Sequence, residues 1–241
     1  LAHIREVDAI IHVVRAFSDD DITHVSGKVD PLADVATIET ELALADLETT
    51  ERAVDRTAKA AKTGDKKILR ELDYLKQAYE ALSQDHGLQA LLQDSEASAV
   101  LKPLCLLSAK PMLYVANVSE EDLNGNDQVS QLTAHAQTRQ AQVVVVSAAI
   151  EQEISEIDAQ ERAGFLEDLG LESSGLDRVV RAGYALLGLQ TFFTAGPKEV
   201  RAWTVACGAT APQAAGEIHT DFERGFIRAE TIAYDEFVQY Q

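Results

Sequence analysis

Residues 110–121, KPMLYVANVSEE, decide how the rest of this chain is read. Pro111 opens a run of five mostly apolar residues, 112–116, and polarity switches abruptly at Asn117. A short apolar run ending in a polar loop predicts a buried strand that delivers a side chain at its carboxyl end. In open α/β sheets that end is where ligands bind. A second apolar run, 143–146, ends in Ser147-Ala148-Ala149, with an amphipathic segment between the two. Strand, helix and strand within some thirty residues predict a βαβ unit, and the intervening N-G-N at 124–126 reads as a loop.

Working outward, residues 9–17 (AIIHVVRAF) predict a further strand, apolar enough to be covered on both faces as parallel strands are. Asp19-Asp20-Asp21 after it reads as a solvated loop, because three consecutive acids point in different directions. From Asp34 the period becomes helical. One stripe runs through Val35, Ile38, Leu42 and Ala45, and a second through Leu44, Leu47, Val54 and Ala58. Gly64 stands where that helix would end and Asp65 where the next would be capped. The second helix carries Ile68, Leu69, Leu72, Leu75, Tyr79 and Leu82 to one side, with Gly87 as its stop. Two long helices joined by a tight turn predict an antiparallel hairpin. Residues 95–109 read as a helix that Pro103 splits, and 150–169 and 176–187 as further helices. Beyond Gly188, residues 191–194 and 200–205 are strand-like, Thr210 caps a helix opened by Ala211-Pro212, and 227–233 reads as another strand.

The chain has 241 residues, of which 46% are hydrophobic and 25% charged. That is enough for one large or several small cores. With 40 Asp and Glu against 21 Lys and Arg, the net charge is −19. Such a charge repels phosphate backbones at long range. There is no Lys/Arg-rich block, so no basic patch for nonspecific DNA binding is expected. No apolar run reaches membrane-spanning length, and LAHIREVDAI lacks the pattern of a secretory signal. Cys105 and Cys207 are too few for a disulfide framework, which fits a reducing cytoplasm; both are expected to be buried. The six histidines share no metal-ligand spacing, so no metal site is expected. His219 and Asp221, two apart, are expected not to face each other. Trp203, Phe192 and Phe193 read as core rather than as a base-stacking platform.

A strand ending in N-x-x-[DE], followed by one ending in S-A-x, resembles the base-recognition pair of GTPase-like P-loop NTPases. Here it reads Asn117-Val118-Ser119-Glu120, with Glu where guanine-specific members carry Asp. Three further stretches, HVSGKVDPLADVATIETELALADL, GLDRVVRAGYALLGLQTFFTAGPKEVRAWTV and GATAPQAAGEIHTDFERGFIRAETIAYDEF, resemble the YchF / Obg-like ATPase family. The resemblance covers essentially the whole chain. It implies an α/β fold with a partial P-loop NTPase (G-domain-like) parallel sheet at 1–33 and 103–188. It further implies an inserted α-helical coiled-coil hairpin at 34–102 and a partial β-grasp-like α+β TGS domain at 189–241.

The resemblance implies ATP binding and hydrolysis, with GTP accepted less well, Mg²⁺ as cofactor in the intact protein, and a ribosome- or translation-associated role. Asn117 would meet the base edge and Val118 would give apolar or backbone contact. Glu120 would hold the altered specificity position, and Ser147 and Ala148 the loop closing over the base. No G-x-x-x-x-G-K-[ST] occurs in these 241 residues. By the resemblance, LAHIREVDAI corresponds to the helix and strand just after the second switch, so the phosphate loop and catalytic His would lie before Leu1. The chain as given is therefore expected to contain no catalytic residue and to be inactive as an ATPase. The alternative expectation is an RNA- or ribosome-interaction module acting through the helical arm and TGS domain without catalysis.

Overall fold

A computed structural model describes residues 2–19, 27, 29–84 and 87–240. The chain divides into two compact units, Leu1–Gly183 and Tyr184–Gln241. In the first, a short helix α1 (Ala2–Arg5) leads into β1 (Ile10–Arg15). Helix α2 (Pro31–Ala60) starts earlier than the apolar stripe indicates. Asp30 is its cap, with the carboxylate accepting from Ala33 N at 3.1 Å, and Pro31 fills the first turn, where its missing N–H costs nothing. A 3₁₀ turn, Ala61–Thr63, and Gly64 at φ +76° close the helix. Asp65 then caps α3 (Lys66–Ser83), accepting from Lys67 N at 2.7 Å.

Helices α4 (Gln89–Leu92) and α5 (Ser95–Leu101) follow, and Pro103 falls in a 3₁₀ turn, Lys102–Leu104, as its lost N–H demands. Strand β2 (Met112–Asn117), helix α6 (Asp127–Thr138) and strand β3 (Gln142–Val146) form the βαβ unit. Both β1–β2 and β2–β3 pair in parallel, so β2 is central. Its residues 113–116 are buried, as a strand covered on both faces must be. Helices α7 (Ala148–Glu156), α8 (Arg162–Asp168) and α9 (Gly175–Leu186) complete the succession.

Two apolar centres hold this unit together. Val14, Ala16, Tyr114, Ala116 and Val118 of the sheet layer pack with Val35 of α2 and Val129, Leu132 and Ala136 of α6. The hairpin has its own cluster: Ala53, Leu75, Ala78 and Leu82 with Leu88, Leu101 and Leu106. The buried stripe of α2 differs from the expected one. Val35 and Leu42 hold, but Ile38 and Leu44 are exposed, while Asp46, Thr50 and Thr57 are buried. Two of these polar members bond: Thr50 Oγ1 donates to Asp46 O, and Asp46 itself organises a neighbouring loop. The expectation for β1 also needs correcting. As the edge strand it buries only the side of Val14, leaving Ile11 and Val13 49% and 63% exposed.

In the second unit β4 (Leu189–Ala195) and β5 (Val200–Ala206) form an antiparallel hairpin. Helices α10 (Ala211–Ile218), α11 (Thr220–Arg224) and α12 (Tyr234–Tyr240) follow. Gln213 Oε1 accepts from both Thr210 N and Thr210 Oγ1 at the start of α10. The strand expected at 227–233 is not formed. No ladder partner engages it among the described residues, and Ile227 is 91% exposed. Apolar pattern alone does not make a strand without an edge to pair with. Phe193 is exposed and stacks on Tyr234, while Trp203 is half-buried, donating from Nε1 to Thr194 Oγ1 beneath the Arg201 guanidinium. Both cysteines are exposed, contrary to expectation. Cys105 ends a 3₁₀ turn at φ +48°, and Cys207 follows the last residue of β5.

Candidate functional site

The loops after β2 and β3 leave the same end of the sheet, because the strands are parallel neighbours with Asn117 opposite Val146. The two loops are bonded together. Asn117 Oδ1 accepts from Ala148 N at 3.0 Å, and Val118 N donates to Val146 O at 2.9 Å. With its oxygen used this way, the Asn117 carboxamide is fixed and its Nδ2 donor has no acceptor among the described residues. Val118 is buried in the sheet-layer core, while Ala148, the first residue of α7, is exposed. Ser147 is the residue just before α7. It is 2% exposed, yet its Oγ has no hydrogen-bond partner among the described residues. A buried hydroxyl without a partner carries a desolvation cost that a ligand atom would relieve. Glu120 begins a 3₁₀ turn, Glu120–Asp122, and is exposed.

Of the five residues singled out by sequence, Asn117 and Ala148 are bonded directly to each other. Val118 and Ser147 flank that bond, and Glu120 stands three residues on in the β2 loop. The sequence reading missed the residues that hold the loop. Asp122 Oδ2 accepts from Ser119 Oγ at 3.0 Å and from Asn126 Nδ2 at 2.9 Å. Asn126 also donates to Ala16 O at 3.0 Å and caps α6 by accepting from Val129 N. The signal was present: Asn before a helical stripe is a cap, and the N-G-N turn places Gly125 at φ +93°.

A second support lies behind Ser147. Glu151 on α7 accepts from Gly175 N at 2.6 Å and Leu176 N at 3.0 Å, holding the open end of α9. Ser174 Oγ accepts from Asp177 N. Gly175 is needed there, since a Cβ would lie 2.9 Å from Glu151 Oε1 and 3.0 Å from both Val146 methyls.

Beneath the sheet, Glu39 of α2 gathers three partners. Tyr114 OH donates to it at 2.6 Å, His135 Nε2 lies at 3.1 Å and Arg139 at 2.7 Å. Burial first, then this acceptor, raises the Tyr114 phenol above its usual range. His12 beside Tyr114 is pushed below the usual histidine value by burial, against opposing pulls from Glu39 and Asp34. His219 and Asp221 do approach each other, at 3.6 Å, because His219 is a cap rather than a helical residue. Its Nδ1 accepts from Asp221 N at 3.2 Å. No cluster of three or more metal-ligating side chains occurs among the described residues, where Asp19 is described and Asp20 and Asp21 are not. No described helix is long and apolar enough to cross a membrane.

These features define an α/β protein with a parallel sheet, a long helical hairpin between its first and second strands, and a two-loop site at the carboxyl edge. A family model, YchF-GTPase_C, described as "Protein of unknown function (DUF933)", matches residues 189–241. A Haemophilus influenzae protein called "Ribosome-binding ATPase YchF" is 54% identical over 240 residues, covering 100% of this chain and 66% of that protein. The protein of that name from Mycoplasma pneumoniae is 41% identical over 244 residues, covering 99% and 67%. A solved structure described as the Schizosaccharomyces pombe YchF GTPase has a TM-score of 0.85 at 32% identity, covering 99% of this chain and 66% of its own. The chain belongs to the YchF family. It spans about two thirds of the length of these relatives.

Proposed function

We propose that this chain carries the base-recognition part of a ribosome-associated P-loop NTPase that binds and hydrolyses ATP in preference to GTP. Relatives named ribosome-binding ATPases support the activity and the partner. The observation that carries the site is the Asn117–Ala148 bond, which joins the β2 and β3 loops and leaves Asn117 Nδ2 as a fixed donor.

Every purine offers an N7 acceptor to such a donor, so Asn117 selects purines without choosing between them. The choice falls to Glu120 and Ser147. Guanine presents N1–H and N2–H donors that an Asp carboxylate takes as a pair. Adenine lacks both and needs acceptors for its N6 amino group with apolar contact on its faces. Ser147 Oγ and the exposed Glu120 are acceptors, and Val118 and Ala148 give the apolar contact. Mg²⁺ and the phosphates belong with a glycine-rich loop, which these 241 residues do not contain. Alone they should therefore bind base without turnover. In this reading residues 1–33 and 103–188 are the nucleotide domain, 34–102 the inserted arm and 189–241 a TGS-like module. Its place of work is the cytoplasm.

Backbone and Asn side-chain NMR shifts on titration with ATP and GTP test the site. ATP should move the Asn117 side-chain NH₂ and the Ala148 amide at concentrations where GTP does not, and Asn117→Ala should abolish the response. Shifts confined to other residues, or GTP acting at lower concentration than ATP, would overturn the assignment. Phosphate release by the 241 residues would overturn the absence of turnover.

A second reading is an RNA- or ribosome-interaction module acting through arm and TGS-like module without catalysis, supported by relatives named ribosome-binding. Cosedimentation with ribosomes in the absence of ATP is its expected result; no cosedimentation at low salt removes it.

A further inference from the structure

We propose that Glu39 is a positioning residue for the two base loops, an inference that rests on the base-recognition reading above and adds a residue of the arm's first helix to it. Glu39 stands in the inward stripe of α2, one turn after Val35 and one turn before Leu42, both of them buried. Its side chain is only 11% exposed, at a position where such a stripe ordinarily takes an apolar residue. Replacing a buried charge cluster by apolar groups of similar volume is often neutral or stabilising. Packing alone therefore does not account for a carboxylate here, and its partners do.

The carboxylate ties β2 to α6. Oε1 accepts from Tyr114 OH of β2 at 2.6 Å and lies 3.1 Å from His135 Nε2 of α6. Oε2 lies 2.7 Å from a guanidinium nitrogen of Arg139, the residue that ends α6. Tyr114 is fully buried in the sheet-layer core, with the His12 ring of β1 5.7 Å from its own. Both elements lead to the site. Strand β2 ends at Asn117, three residues beyond Tyr114 and about 10 Å away at 3.3 Å per residue. Helix α6 begins behind Asn126, which bonds Asp122 and Ala16 O, about 18 Å from the helix's far end at 1.5 Å per residue.

Residues 118–126 bridge from the end of β2 to the start of α6, and Glu120 lies in that bridge. Glu39 holds the same strand and helix away from the loop, and so sets the span that the bridge must close. Val35 also seats α2 on this layer, but apolar contact is non-directional. The bonds of Glu39 fix angle and register as well. A close-packed interior transmits a displacement instead of absorbing it, so a shift of β2 against α6 reaches Glu120 and the Asn117–Ala148 bond. Because Glu39 belongs to α2, the geometry of the base loops depends on how the arm's first helix is seated.

The test uses the 241-residue chain and reads the Asn117 side-chain NH₂ and Ala148 amide resonances, first without nucleotide and then on titration with ATP. Replacing both partners of a buried bond by apolar groups can leave stability nearly unchanged, so the main variant carries Glu39→Leu with Tyr114→Phe. Glu39→Gln keeps an acceptor for the phenol. Leu75→Ala, in the hairpin's own apolar cluster, is the control for general loosening, with urea midpoints measured for all. The double variant should move both resonances in the free protein and weaken ATP by about fivefold, the order expected of a residue that acts through others. Glu39→Gln should bind ATP within about twofold of the parent, since one acceptor remains. Leu75→Ala should lower the urea midpoint and leave both resonances in place. Unmoved resonances in the double variant would overturn the proposal, as would equal movement in the Leu75→Ala control. In a parent that binds ATP, moved resonances with unchanged affinity would overturn it too. A parent whose Asn117 and Ala148 ignore ATP would strike the base-recognition reading instead, while the nucleotide-free resonances of the variants would still decide whether Glu39 positions the loops.

Discussion

At the scale of single residues, Ser147 separates stability from binding. Its hydroxyl is buried and has no partner among the described residues, so Ser147→Ala removes a polar group that folding desolvates without repayment, a cost of about 1–3 kcal/mol for such groups. Urea unfolding of the alanine variant should show a midpoint equal to or above that of the parent, while adenine-nucleotide affinity falls several-fold. A clear loss of stability would mean that the hydroxyl is bonded in the free protein. His12 makes the complementary case for pH. Its ring meets Tyr114 of β2, its Nδ1 is buried without a partner among the described residues, and Glu39 and Asp34 of α2 are the acids that act on it. Folding lowers its pKa, so below the unfolded histidine value of about 6.5 the unfolded chain binds more protons than the folded one. This residue's share of stability is therefore intact above that value and declines as pH falls toward the folded pKa. In His12→Phe the part of the pH 7.5-to-5.5 decline due to this ring should vanish; an unchanged slope would assign it to other groups.

At the scale of elements, one link between the hairpin and the approaches to the sheet is a buried carboxylate. Asp46 of α2 is fully buried and accepts from Leu107 N at 2.8 Å and from Ser108 N and Oγ at 2.7 Å each. Arg5 lies 3.3 Å away, donates also to Ala45 O and Thr49 Oγ1, and so clamps the helix to the approach of β1. Asp46→Ala would strand two backbone N–H groups and one face of a guanidinium, and should cost the first unit about 3–5 kcal/mol. Asp46→Asn keeps one acceptor and should cost about 1–3 kcal/mol. The pair is measured by denaturant unfolding, and equal costs would show that the charge contributes nothing. No sequence period could have found this link, since the partners are 61 and 62 residues apart and an Asp in a helical stripe reads as a solvated position. The strands at 112–117 and 142–146 and the hairpin were legible because periodicity and caps agree there. The non-strand at 227–233 was not, because pairing depends on an edge that the segment's own composition does not reveal. Within the site the loop ends were legible as residue types, but their bond and the supports at Asp122 and Glu151 needed the fold.

At the scale of the whole molecule, charge and exposed apolar surface oppose each other. Ile11 and Val13 lie on one face of β1, whose outer edge pairs with no strand among the described residues, so apolar surface and a sheet edge coincide there. Net charge of −19 keeps copies apart at low salt, but its reach shrinks from about 10 Å at 0.1 M to about 3 Å at 1 M. Burial of apolar surface does not weaken in that range. Self-association should therefore increase with salt. Sedimentation velocity should give a weight-average mass near 26.2 kDa at low salt and low concentration, rising with both. Ile11→Thr with Val13→Thr keeps β-branched residues in the strand while removing apolar surface, and should return the mass toward the monomer at 1 M salt. A parent chain that stays monomeric across the series would show that the edge is protected, and a double variant that associates as the parent does would move the contact to another face.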